Sequence, residues 1–210
     1  MDFLVYPKTP RLFRNITVTE KIDGTCSCVA IKELDGHPDT GALWTSGGLA
    51  LYAGSRSRWI TPAADNHGFA RWVLEHAEEL MQLGPGRHFG EWWGRGIQRG
   101  YGLTEKRFSL FNVARFCAHD ATPAEIPSAN PTTPPKYQQR VPACCHLVPV
   151  LKRDEPFAEA TVVAALGYLQ GFGSLAAPGF MRPEGIIVFH EAAQRPFKVL
   201  LENDNRPKGE

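Results

Sequence analysis

The chain has 210 residues, 43% of them hydrophobic, and a formal net charge of +1. Such a composition builds a real core and excludes a disordered tail. The near-neutral charge excludes a whole-protein basic field, so any contact with nucleic acid must come from local patches.

The amino-terminal MDFLVYPKTPRLFR lacks an apolar signal-like run, and no segment approaches the ~18 apolar residues of a membrane span. The expectation is a cytoplasmic protein without membrane contact. Residues 17–32 read as strand, tight turn, strand, with Glu20-Lys21-Ile22-Asp23-Gly24-Thr25 at the join. Asp35-Gly36 and Asp39-Thr40-Gly41 are turn signals, and short strands follow at 43–45 and 49–57. Asp65 or Asn66 is a plausible cap for a helix running to about Gln82, where Phe69, Trp72, Val73, His76, Ala77, Leu80 and Met81 make one apolar face. Gly84-Pro85-Gly86 ends it. Strands are predicted over 88–93 and 107–116, and a Pro-rich surface excursion over about 120–142. A second helix is predicted over 156–170, then strands at 185–189 and 197–201. Strands outnumber helices without regular interleaving. That favours an α+β fold of antiparallel sheets flanked by helices, in a single domain over 1–210.

Five cysteines, Cys26, Cys28, Cys117, Cys144 and Cys145, form no even disulfide framework. Cys26 and Cys28 share one face of a strand and read as packing. Cys144-Cys145-His146 is metal-like but lacks the second ligand pair that completes a zinc site.

Lys21-Ile22-Asp23-Gly24 raises the chemical question. A lysine amine is a nucleophile only when neutral, and a neighbouring cation or metal favours that form. Gly24 permits a tight turn and close backbone approach. Such an amine can attack the α-phosphate of a nucleotide. The tetrapeptide alone is weak and is equally compatible with a surface hairpin. It is followed, in order, by Gly54-Ser55-Arg56-Ser57-Arg58, Phe89-Gly90-Glu91-Trp92-Trp93-Gly94, Phe108-Ser109-Leu110-Phe111-Asn112-Val113, Arg182-Pro183-Glu184-Gly185-Ile186-Ile187-Val188 and Phe197-Lys198-Val199-Leu200. The series resembles the covalent nucleotidyltransferases, the superfamily of polynucleotide ligases and mRNA capping enzymes. Within it, EKIDGT and FGEW look most like the ATP-dependent RNA ligases of phages.

The resemblance implies an ATP-grasp-like adenylation domain and assigns roles. Lys21 would take AMP, and Asp23 and Gly24 would belong to the nucleotide site around it. Glu20 would read the adenine amino group, which a carboxylate suits because N6 is a donor. Arg56 would contact the nucleotide and an incoming 5′-phosphate. Glu91 would bind the ribose or orient the lysine and metal. Phe111 would stack on the purine, Glu184 would serve the metal, and Lys198 would meet the α-phosphate. Glu91 and Glu184 suit Mg²⁺ or Mn²⁺, which prefer a few carboxylate oxygens and several waters. Blander readings remain open for Phe111 as core and for Arg56 and Arg58 as a solvent-facing strand edge. At least one of Trp92 and Trp93 is expected in the core.

The sequence departs from the ligase pattern at Leu200, where a second lysine is usual; Arg195 or Lys208 would have to substitute. Asn112 replaces a common acid. About a dozen residues follow Lys198, which implies no C-terminal OB-fold or helical domain, so the segment with Arg95, Arg99, Lys106 and Arg107 becomes the candidate polynucleotide patch. The expected function is an ATP-dependent RNA ligase joining 5′-phosphate and 3′-hydroxyl RNA ends, acting in host cytoplasm if phage-encoded. A minimal DNA ligase and a non-catalytic nucleotide- or end-binding module are the alternatives. A GTP-using capping enzyme is disfavoured by Glu20.

Overall fold

The computed structural model describes residues 3–37, 39–121, 139–202 and 204. The first two strands, β1 (Asn15–Lys21) and β2 (Thr25–Glu33), fall where expected. They do not pair as a hairpin: β1 joins a four-stranded sheet and β2 a seven-stranded one. The link donates its amides elsewhere, Asp23 N–H to Tyr101 Oη and Gly24 N–H to Glu91 Oε1, instead of closing a turn.

Strands β3 (Trp44–Ser46) and β4 (Leu49–Ser55) form a true hairpin across Gly47 and Gly48, whose φ of 57° and 78° match a two-residue turn. Strand β5 (Trp59–Ile60) pairs back on β4. The predicted long helix is shorter and broken: α1 (Phe69–Glu75) and α2 (Ala77–Leu80) meet at His76, and a 3-10 turn covers Met81–Leu83. Asp65 still caps it from upstream, accepting from the amides of Ala70 and Arg71 at 2.7 and 3.2 Å.

Strands β6 (Gly86–Gly94) and β7 (Lys106–Leu110) follow. The strand predicted over 107–116 stops at Leu110, and β8 (Phe116–Cys117) is separate. Of the Pro-rich excursion, residues 122–138 lie outside the described residues, as does Lys208. The remaining elements are β9 (Gln139–Arg140), β10 (Cys145–Leu147), β11 (Val150–Pro156), α3 (Glu159–Phe172), β12 (Gly185–His190) and β13 (Arg195–Leu200). None of β9, β10 and β11 was predicted: two are very short, and β11 (VLKRDEP) is too charged to read as a strand.

The chain forms two compact units, Met1–Ile22 with Pro149–Glu210, and Asp23–Val148. The first carries the antiparallel sheet β11-β1-β12-β13. Alternation in NITVTEK turns Ile16 and Val18 into a core with Ile186, Val188 and the α3 residues Ala165 and Leu169. The second carries the sheet β10-β7-β6-β2-β4-β3. One face of it, with Val29, Ile31, Leu51, Ala53, Trp92 and Phe108, is covered by Phe69, Val73 and Leu80 of the helices. The sheets are therefore mostly antiparallel, with two exceptions to the expectation: β10 runs parallel to β7, and β9 parallel to β8. No helix among the described residues is long and apolar enough to cross a membrane.

Candidate active site

In the first unit, Lys21 is the last residue of β1, and the register with β12 sets it opposite Gly185. Glu184 precedes that glycine, so strand pairing brings a carboxylate to the amine. Lys21 Nζ donates to Glu184 Oε2 at 2.5 Å across 163 residues of sequence, with side chains 19% and 7% exposed. Glu184 Oε1 accepts no hydrogen bond among the described residues. A mostly buried carboxylate oxygen is thus left as a hard donor of the kind Mg²⁺ or Mn²⁺ takes. Gly185 is required for this approach: its φ is 154°, and a Cβ there would stand 2.2 Å from the Val199 carbonyl oxygen.

Lys198 is exposed on β13 opposite Ile187, which is itself opposite Thr19. Alternation therefore puts Lys198 on the face that carries Lys21, one row along, with Leu200 in the row of Lys21 itself. Arg195, a candidate to replace the missing second lysine, sits at an odd position and turns to the other face.

Glu20 also turns away from Lys21. Ser174 Oγ donates to its Oε1 at 2.5 Å, and the amides of Leu175 and Ala176 donate to its Oε2 at 2.8 and 3.0 Å. It is 1% exposed. Burial raises its pKa above the ordinary 4.5, against the lowering effect of the three hydrogen bonds. The adenine contact expected of Glu20 does not follow from this arrangement, because the carboxylate is committed to the turn after α3.

In the second unit, Asp23 N–H donates to Tyr101 Oη at 2.8 Å, and Arg99 Nε donates to Asp23 Oδ2 at 3.1 Å. Gly24 N–H donates to Glu91 Oε1 at 3.1 Å. A Cβ on Gly24 would meet the Trp92 carbonyl oxygen at 2.5 Å and Trp93 Cβ at 2.7 Å, so glycine is what lets the link lie against β6. Half-buried Glu91 is opposite Cys26 across the β2–β6 pair. Burial raises the Cys26 thiol pKa, the Glu91 charge raises it further and the Arg56 charge lowers it. Arg56 is not on a strand edge as read from the sequence. β4 ends at Ser55, whose Oγ accepts from the amides of Ser57 and Arg58 and closes a turn that presents the arginines.

Phe111 follows β7 in a bend, 40% exposed, which removes the core reading and leaves an open ring face. Asn112 Oδ1 accepts from the Arg115 amide at 3.0 Å, holding that bend. Both Trp92 and Trp93 are buried, the first against the helices and the second with its Nε1 on Ser109 Oγ.

The expected polynucleotide patch fares less well. Arg99 is held by Asp23, Lys106 Nζ donates to the His67 carbonyl oxygen, and Arg107 donates to Glu105. These three cations have partners inside the unit; exposed Arg95, the fourth, has no side-chain partner among the described residues. The cysteine expectation shifts as well: ligand atoms of His76, Glu79 and Cys144 lie within 4.8 Å of one another, a set without His146. Tyr101 and Ser174, which fix Asp23 and Glu20, were missed. Each acts over 78 or 154 residues of sequence, and no local pattern marks them.

A family model described as RNA ligase matches residues 14–200. No curated protein matches the chain in sequence. Among solved structures, the fold is similar to an apo mutant of a Naegleria gruberi RNA ligase, at 18% identity and a TM-score of 0.52, over 89% of this chain and 49% of that one. It is similar to a Naegleria gruberi RNA ligase mutant with ATP and Mn at 18% identity and a TM-score of 0.50, over 89% and 49%. A mutant with AMP and Mn follows at 16% and 0.50, over 90% and 50%. The chain spans about half the length of these solved relatives, and at such identities the likeness is one of fold.

Proposed function

This chain belongs to the RNA ligase family, and on that premise we propose that it is an ATP-dependent RNA ligase working through an adenylate carried on Lys21. What supports this most is the Lys21–Glu184 contact at 2.5 Å. The amine must lose a proton to attack, and Glu184 Oε2 is the acceptor already on it. Nζ forms a bond to the α-phosphorus of ATP, the bond to the bridging oxygen breaks, and pyrophosphate leaves. A 5′-phosphate oxygen then displaces the lysine, whose nitrogen regains a proton. Finally a 3′-hydroxyl attacks the activated 5′-phosphorus and AMP departs, leaving a phosphodiester.

The similar Naegleria gruberi structures hold ATP or AMP with Mn, and the same classes of ligand, with Mg²⁺ or Mn²⁺, are proposed here. A divalent ion would supply charge neutralisation on the phosphate oxygens; in the first unit Glu184, beside Lys21, would offer it a carboxylate oxygen, and in the second unit Glu91 is a candidate ligand by its family resemblance. Lys198 meets the α-phosphate, and Arg56 the nucleotide and the 5′-phosphate. Asp23 and Gly24 hold the backbone beside the lysine, and Phe111 offers its open face to the purine. Glu20 serves by fixing the strand that carries Lys21.

The test is to incubate the protein with α-labelled ATP and Mg²⁺, denature it, and look for label on the chain. Label that vanishes in Lys21→Ala is the expected result; an unlabelled parent would end the covalent reading. Leu200, in the row of Lys21 where a cation is usual, favours one rival, a non-catalytic nucleotide-binding module. That rival predicts ATP binding without label and unaltered binding in Lys21→Ala. Nicked RNA, DNA and hybrid duplexes separate an RNA ligase from a minimal DNA ligase.

A further inference from the structure

We propose that Arg58, Trp59, Arg87 and Phe89 form a binding site for an unpaired polynucleotide, running along the sheet from Arg56 and Glu91. The inference rests on the ligase reading for its biological role and shares Arg56 with it; Arg58, Trp59, Arg87 and Phe89 are separate from that reading.

The site is written in the strand register. On β6, Arg87, Phe89 and Glu91 alternate onto one face, opposite Ala30, Cys28 and Cys26 of β2. Across β2, Gly54 and Tyr52 of β4 lie opposite Cys28 and Ala30. The opposite face is the one packed by the helices, so this face is not needed for the core. Gly54 leaves room for an indole: a Cβ there would stand 3.4 Å from Trp59 Cε3 and Cζ3. Trp59 therefore lies over the sheet, with Tyr52 at 5.6 Å between ring centroids and the Arg87 guanidinium 5.8 Å above its ring. The result is a cleft of about 290 Å³ walled by Arg56, Arg58, Arg87, Trp59 and Phe89.

Two features identify the occupant. The guanidinium groups of Arg56, Arg58 and Arg87 have no hydrogen-bond or ion-pair partner among the described residues, whereas those of Arg99 and Arg107 do. Three like charges kept unneutralised around one cleft call for a polyanion. Second, Trp59 and Phe89 stay 54% and 43% exposed beside them. Aromatic faces interleaved with arginines suit bases and phosphates of a single-stranded polynucleotide, since every base has a π-face and stacking needs it unpaired. The cleft is small by the standard of ligand sites, with room for a nucleotide of a passing chain and not for a duplex. Stacking on Trp59 and Phe89 and charge pairing to phosphates do not depend on a 2′-hydroxyl, so RNA and DNA of one sequence should bind alike.

The experiment uses the full chain and a fluorescent 5′-phosphorylated single-stranded RNA dodecamer, its DNA counterpart and a blunt RNA duplex, titrated over a series of salt concentrations. Arg58→Ala with Arg87→Ala should weaken single-strand binding and lower the slope of log K against log salt by roughly 0.7 for each phosphate that the variant no longer neutralises. Trp59→Ala should cost about tenfold in affinity and Trp59→Phe should restore much of it, which separates stacking from misfolding; Phe89→Leu serves as a second probe with its bulk kept. Labelling from α-labelled ATP should persist in these variants. Unchanged affinity and salt slope in the double arginine variant, or duplex binding equal to single-strand binding, would overturn the proposal. If the parent binds the single strand through these residues yet takes no label, the site stands and the covalent reading falls.

Discussion

Replacing Glu184 with Gln keeps its volume and removes its charge, and the consequence can be worked from the geometry. The carboxylate is 7% exposed and holds a lysine that is 19% exposed. A charge-assisted hydrogen bond contributes about 1.5–3 kcal/mol net, while stranding one partner of a fully buried pair costs about 3–5 kcal/mol. Lys21 keeps some contact with water, so its ammonium can be partly rehydrated and the lower range applies. The expected loss is ~2 kcal/mol, or roughly 4–8 °C in melting temperature for a chain of this size. Lys21→Met should cost more, about 3 kcal/mol, because the carboxylate left behind is the more buried partner. Urea unfolding of both single variants and the double variant gives the coupling directly. The pair predicts a double variant less destabilised than the sum by about 1.5 kcal/mol or more; a coupling within ~0.5 kcal/mol of zero would refute it. In the labelling assay, loss of the proton acceptor should lower the rate of adduct formation by about 10²–10⁴.

Gly24→Ala drives a methyl into the Trp92 carbonyl oxygen at 2.5 Å; a destabilisation of about 1–3 kcal/mol, read by urea titration, is expected together with loss of label. Glu20→Ala orphans two backbone amides and should cost about 2–5 kcal/mol, whereas Glu20→Gln, able to accept from both, should retain most of the stability. Because burial raises the Glu20 pKa above 4.5, the folded state holds that proton more tightly than the unfolded one. Its contribution should therefore fall as pH rises from about 4.5, and Glu20→Gln should flatten that slope. His88 acts in the opposite sense: burial depresses its pKa below the ordinary 6.5, so stability should fall as pH drops through 6.5, a trend that His88→Gln should remove in unfolding curves taken between pH 5 and 8.

How much was legible can be followed residue by residue. The order of the motifs singled out Lys21, Glu91 and Glu184, and of these the strand register brings Lys21 and Glu184 together. Alternation was enough to find β1, β2, β6 and β12. The failures were of pairing. β1 and β2 look like a hairpin because only three residues separate them, yet the link's amides go to Tyr101 and Glu91. The strand predicted through Phe116 breaks at Leu110, since Asn112 holds a bend that composition does not reveal. Arg99, Lys106 and Arg107 looked like a basic patch until their partners were seen; Arg58 was read only as part of a strand edge beside Arg56, and Arg87 did not stand out at all.

By itself, then, the sequence determined which chemical groups are present and which backbone segments are extended, for both follow from side-chain type and local period. Tertiary structure alone decided which groups meet. The opposition of Lys21 to Gly185, which brings Glu184 to the amine, depends on register between strands more than a hundred and fifty residues apart. The turning of Glu20 toward Ser174 depends likewise on a distant partner, the turn after α3, 154 residues away. Local propensity is indifferent to such pairings; they are set by burying one face of each strand, and every side chain on the other face goes where that burial sends it.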